Sequence, residues 1–223
     1  MPTSEIITGL TNQEFLDRYA RPGMIGLAGG GSISSKLIAR AQRHIDEDHI
    51  WSKWSHAFLL EGTRADNHHW VVESDLHLQH KRIRLGVQEN RLRKYYDQDY
   101  YATIALLDFN LTEEQFRRVL TRALDFVADN TQYSMREIVG LVLGLRHPSL
   151  RKRDNLFSQS TSFFCSAFVS HLFREAGLPV SDSLTDKHVT PEDIFRSLAP
   201  HSTIILERAI TPTALEDAEE NSL

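Results

Sequence analysis

The sequence has one cysteine in 223 residues. A lone cysteine excludes an internal disulfide and any cysteine-rich zinc site, and leaves the redox compartment unconstrained. Excess positive charge is also missing, since 25 Lys and Arg stand against 30 Asp and Glu for a formal net charge of −5. The basic clusters Lys81-Arg82-Ile83-Arg84 and Arg151-Lys152-Arg153 are short and read as solvated surface, so no nucleic-acid partner is expected. Long apolar runs are absent as well. The longest, Ile138 to Leu145, falls far short of the roughly 20 residues of a membrane helix, which predicts no transmembrane segment. The opening MPTSEIITGL has neither a basic n-region nor an apolar h-region. It predicts a cytoplasmic protein, or one exported without a cleaved signal peptide.

What is present is the make-up of a soluble globular chain, 41% hydrophobic and 25% charged, able to bury one substantial core. A single domain over 1–210 is expected, with its core at about 22–196. Residues 211–223 carry acidic groups and little apolar content, and read as a flexible tail. Along the chain, NQEFLDRYA predicts a short helix stopped by Arg21-Pro22-Gly23. Met24 to Ala28 reads as a strand, after which Gly29-Gly30-Gly31-Ser32 opens a helical pattern with Leu37, Ile38 and Ala41 on one face. Trp54 to Glu61 and Trp70 to Ser74 predict an antiparallel hairpin. Further strands are expected at 82–88, 102–109 and 203–210. Thr112 and Gln115 form a capping-box pattern for a helix with Phe116, Val119, Leu120, Ala123 and Val127 on one face. A second apolar helix is expected at 135–145, followed by a polar loop at 149–160. The class is α+β, a small and mostly antiparallel sheet packed against helices.

The stretch FFCSAF holds Cys165. Ser160 or Ser162 can cap a helix running through Phe168, Val169, Leu172, Phe173 and Ala176 and stopping at Gly177, which places Cys165 in its first turn. The i, i+3, i+4 spacing turns the thiol toward the protein body. Unpaired backbone N–H groups and the helix dipole in a first turn favour a thiolate, and the same N–H groups can serve as oxyanion donors. A buried small hydrophobe is the competing role for such a residue. A nucleophile here needs a base, and the base needs an orienting group.

Eleven histidines compete for that role. His44, His49, His147, His188 and His201 sit in polar or terminal segments and read as surface, and His171 lies on the helix face away from the apolar stripe. The pairs His68-His69 and His77/His80 lack a third-ligand pattern, so no metal is expected. His56 differs because it stands in the strand WSHAFLLEG on the face of Phe58 and Leu60. A histidine turned toward the core requires a polar partner. With a hairpin loop centred near Arg64 and Ala65, Glu73 falls almost opposite His56, on the same face of the sheet. A carboxylate on one imidazole nitrogen fixes the tautomer and prepares the other nitrogen to take the thiol proton.

In this order the residues resemble the circularly permuted NlpC/P60 papain-fold family of the YiiX/YebB-like kind, related to the lecithin:retinol acyltransferase-like group. The resemblance rests on a glycine-bearing segment (GMIGLAGGGSISSKLIARAQ), a W-S-H-like strand (WSHAFLLEG), a strand ending in a carboxylate (WVVES), a C-S-x-x-V/F helix (FCSAFVSHLF) and a T-P-x-D/E-like segment (VTPEDIF). It covers residues 22 to 196. It implies a papain-like core in the chain order His, acid, Cys, with Cys165 as nucleophile, His56 as general base and Glu73 as the residue that orients it. Gly23-Met24 replaces the G-D of relatives, and Ser55-His56-Ala57-Phe58-Leu59 replaces S-H-x-G-I.

The resemblance implies a cysteine hydrolase working through an acyl-enzyme, without a cofactor. Its substrate would be a peptide or other amide, including cell-wall peptides, or an acyl lipid, with lipid acyl hydrolysis or transfer as the alternative. A secreted effector would add an immunity or delivery partner. A non-catalytic papain-like binding module is the reading from a different class. A serine hydrolase is disfavoured because no G-x-S-x-G occurs, and a phosphate loop because no G-K-[ST] follows the glycines.

Overall fold

A computed structural model describes residues 2–30, 52–79, 82–129, 165–181 and 189–207. The helical pattern after Ser32, the apolar helix at 135–145, the loop at 149–160, the caps at Ser160 and Ser162 and the tail at 211–223 lie outside the described residues. The fold is α+β. In the described residues β1 (Thr3–Ile7), β2 (Ile25–Gly30), β3 (His56–Thr63), β4 (His69–Gln79), β5 (Arg82–Arg91), β6 (Tyr101–Asp108) and β7 (Ser202–Leu206) form one sheet in the order β1-β7-β6-β2-β3-β4-β5.

The sheet is larger than expected and mixed, because β1 adds to β7 in parallel while the other pairings are antiparallel. MPTSEIITGL carries no alternating apolar signal: residues 3–6 of β1 are exposed. The edge of β7 makes this segment a strand, which local sequence does not.

Among the described residues four α-helices cover the sheet: α1 (Asn12–Tyr19), α2 (Glu113–Ala128), α3 (Cys165–Glu175) and α4 (Pro191–Phe195). Local chemistry starts most of them. Thr11, Thr112 and Thr190 each cap a helix through a reciprocal capping box with Glu14, Gln115 and Asp193. Pro191 occupies the first turn of α4, where its missing N–H costs nothing. The chain leaves α3 through Gly177 at φ 80°, as the sequence predicts. The buried stripe of α2 is Val119, Ala123 and Phe126, so Phe126 joins the predicted set.

Alternation along the strands sorts the core into two layers. Ile25, Leu27, Ala57, Leu59, Val72, Ala105 and Leu107 face α2, α3 and α4, against Phe126, Phe168, Leu172 and Ile194. Ala28, Phe58, Leu60, Val71, Ile104 and Leu106 face the other way, against Phe15 and Leu16 of α1 and against Leu92 and Tyr95 of a 3-10 helix at Leu92–Tyr96. A glycine brings β2 and β3 together where a side chain would not fit. A Cβ at Gly26 would stand 2.1 Å from the Phe58 ring.

His201 is a correction to the surface reading, since it is buried, stacked on Phe109 at 4.7 Å between ring centroids. Its neighbours Pro200 and Ser202 give no local sign of that burial. His171 is half-buried against Phe126 of α2 and reaches Glu175 at 3.2 Å. Among the described residues, no helix is long and apolar enough to cross a membrane.

Candidate active site

His56 is the first residue of β3, alongside Ala28 of β2. The preceding residues are held in place on both sides. The Ser55 hydroxyl donates to the Ala28 carbonyl at 3.3 Å and accepts from the Gly30 N–H at 3.2 Å. Gly29 lets the Lys53 carbonyl pass so close that an added Cβ would lie 2.2 Å from it. Trp54 is buried and packs on Phe195 of α4, with ring centroids 5.2 Å apart. The W-S-H segment therefore delivers a fixed imidazole to the strand.

His56 Nε2 and Glu73 Oε2 are 2.6 Å apart. The sequence places these residues almost opposite each other, and the register corrects this. The turn falls at Arg64 to His68, later than expected, and a β-bulge between Leu60 and Gly62 shifts the pairing again. Leu59 pairs with Val72, so the next pair along sets Glu73 against Phe58. His56 lies two residues further on the same face, and the two side chains meet diagonally.

Glu73 is fully buried. Four donors satisfy its carboxylate: Oε2 takes His56 Nε2 and the Tyr95 hydroxyl, and Oε1 takes Asn90 Nδ2 at 2.6 Å and Lys94 Nζ at 2.7 Å. Burial by itself would push this carboxyl up. The Lys94 ammonium and the His56 hydrogen bond outweigh burial and hold it well below its usual range. An ionised carboxylate only accepts, so Nε2 carries the imidazole hydrogen and Nδ1 is the basic nitrogen. The His56 ring also lies 6.4 Å from Phe58 and 6.3 Å from Tyr95, in stacked orientations.

Cys165 begins α3 and is partly buried. This helix packs on β3 and β4, over the layer that contains Ala57, Leu59 and Val72, whereas His56 and Glu73 belong to the opposite layer. α4 connects the first turn of α3 with the residues before β3. Ser166 Oγ donates to the Val189 carbonyl at 2.7 Å, Glu192 of α4 accepts from Ser52 Oγ at 2.6 Å, and Phe195 meets Trp54. Thus the structure joins His56 to Glu73 by a direct contact, and links the first turn of α3 to the residues before β3 through α4.

Asn90, Lys94 and Tyr95 were not identified from sequence. Their segment, NRLRKYY, reads as polar, and nothing local ties it to a carboxylate 17 to 22 positions earlier. The available signal is the carboxylate itself, because a buried Glu demands cationic or donor partners wherever they come from.

No protein-family model matches the sequence, and a search of curated proteins returns no match. A search of solved structures finds the crystal structure of the metalloprotein YiiX from Escherichia coli O157:H7, with a TM-score of 0.52 at 15% identity, covering 85% of this chain and 98% of that one. The chain has a YiiX-like fold. That relative is described as a metalloprotein, so the donor set here bears on metal binding. Among the described residues no group of three or more His, Cys, Asp or Glu is arranged to hold an ion. At Glu73 the Lys94 ammonium already occupies the cation position on Oε1. Among the described residues the His56–Glu73 site does not offer a donor set that fits a metal.

Proposed function

We propose that this YiiX-like chain is a cysteine hydrolase with a permuted, papain-like NlpC/P60 core, in which Cys165 is the nucleophile, His56 the general base and Glu73 the orienting acid. The observation that carries the reading is the buried, ionised Glu73 on His56 Nε2. A carboxylate in that position sets both the tautomer and the plane of a catalytic imidazole. The order of residues along the chain and the position of Cys165 in the first turn of α3 support the same assignment.

In this reading His56 Nδ1 takes the Cys165 proton as Sγ attacks the acyl carbon. The tetrahedral intermediate collapses, the C–N or C–O bond breaks, and Nδ1 returns the proton to the leaving amine or alcohol. Water then loses a proton to Nδ1 and attacks the thioester, which releases the acid and restores the thiol. Backbone N–H groups of the α3 first turn are the natural donors to the oxyanion. The substrate is an acyl compound, an amide or peptide or else a lipid ester.

The test is the pH dependence of Cys165 alkylation by iodoacetamide in the wild type and in His56→Ala. Rapid labelling well below the ordinary thiol range, slowed about 100-fold or more by the substitution, is the expected result. A slow, ordinary thiol profile in both proteins would return Cys165 to a packing role and favour a binding module.

A further inference from the structure

The role of Glu73 accounts for one of its two oxygens. The other, Oε1, is held by Asn90 and Lys94. Lys94 is itself largely withdrawn from water, with a side chain 16% exposed against 0% for Glu73. A surface pair of this kind is worth little, whereas a buried one must be completed by geometry and further hydrogen bonds. Here it is completed from several directions.

The 3-10 helix that carries Lys94 and Tyr95 is fixed from α1. Buried Asn12 donates from Nδ2 to the Tyr95 carbonyl near the end of this helix and to the Tyr101 carbonyl at the start of β6, each at 2.9 Å. The Tyr96 hydroxyl donates to Asp17 of the same helix. Tyr95 stacks on Phe58 at 4.1 Å, and its hydroxyl returns to Glu73 Oε2. Among the described residues, the titratable groups facing the His56–Glu73 pair include Lys94 and Tyr95 from the 3-10 helix, beside neutral Asn90 from β5.

A lone buried carboxylate on Nε2 would strongly favour the imidazolium, which cannot accept a proton. Lys94 changes that balance, because the carboxylate and the ammonium together carry no net charge. We propose that Lys94 is a positioning residue of this site: its ammonium holds the Glu73 carboxylate turned on His56 and cancels its charge, so the ring is oriented while remaining a neutral base. The proposal rests on the reading of His56 as the base.

The test is an NMR titration of the His56 ring in the full chain, in wild type, Lys94→Arg and Lys94→Gln. The glutamine keeps a donor and deletes the charge. Its expected effect is a rise of about one pH unit in the His56 midpoint, with Lys94→Arg leaving the midpoint in place. An unchanged midpoint in Lys94→Gln overturns the proposal. Should that variant not fold, Glu73→Gln is compared with the double variant Glu73→Gln/Lys94→Gln. There the loss of Lys94 should raise the midpoint, and equal midpoints overturn the proposal. The titration does not depend on thiol reactivity, so a shifted midpoint beside an inert Cys165 would sink the hydrolase reading and support the action of Lys94 on His56.

Discussion

The two faces of the sheet are built on different principles. On the α3 side, Leu59, Val72, Phe168 and Phe173 meet as hydrocarbon, and shape alone decides the packing. On the α1 side, Phe58, Tyr95 and Val71 surround a buried carboxylate with four donors. An apolar layer tolerates a change by relaxing around it. A charged network in the same burial fails as a unit when one member goes.

That contrast should be visible in what each loss of stability takes with it. Glu73→Ala strands Lys94 without its carboxylate and should cost about 3–5 kcal/mol in denaturant unfolding, together with the orientation of His56. Phe168→Ala on the other face should cost a comparable 3–5 kcal/mol through its cavity. The two separate in the alkylation profile of Cys165, whose His56-dependent inflection should vanish in the first variant and keep its position in the second. A lost inflection in Phe168→Ala would mean that the faces are not independent.

On the α1 face acid should act through Glu73. The Glu73 carboxyl lies below its ordinary value of 4.5 in the folded chain, so its stabilisation is fully present above that value and is lost as pH falls toward the folded one. Below about pH 4.5 the wild type should lose stability more steeply than Glu73→Gln, by up to about 1.4 kcal/mol per pH unit. Parallel pH–stability curves for the two proteins would remove Glu73 from the account. The smallest effect belongs to the exposed pair Arg122–Glu175, which joins α2 to α3 at 3.0 Å. Arg122→Ala should change stability by at most about 1 kcal/mol, and less at high salt.

The sequence exposed those parts whose cause is local. Thr112 with Gln115 announces its helix because the cap is made within four residues. His56 and Glu73 can be paired because a histidine facing the core of a hairpin has few partners, although the turn lies later than the sequence suggests. What stayed hidden depends on distant contacts. The strand character of β1 comes from β7, the burial of His201 from Phe109, and Lys94 and Tyr95 reach Glu73 only because α1 pins their helix.

The bulge at Glu61 acts as a phase setter for the buried carboxylate. With every residue kept and the bulge straightened, the pairing would slip by one, and Glu73 would stand against Leu59, pointing into hydrocarbon. Gly62 closes the bulge at φ 121°, a conformation that side chains resist, and an added Cβ would also lie 2.9 Å from Pro22. A single glycine thus chooses which side of the sheet receives the negative charge.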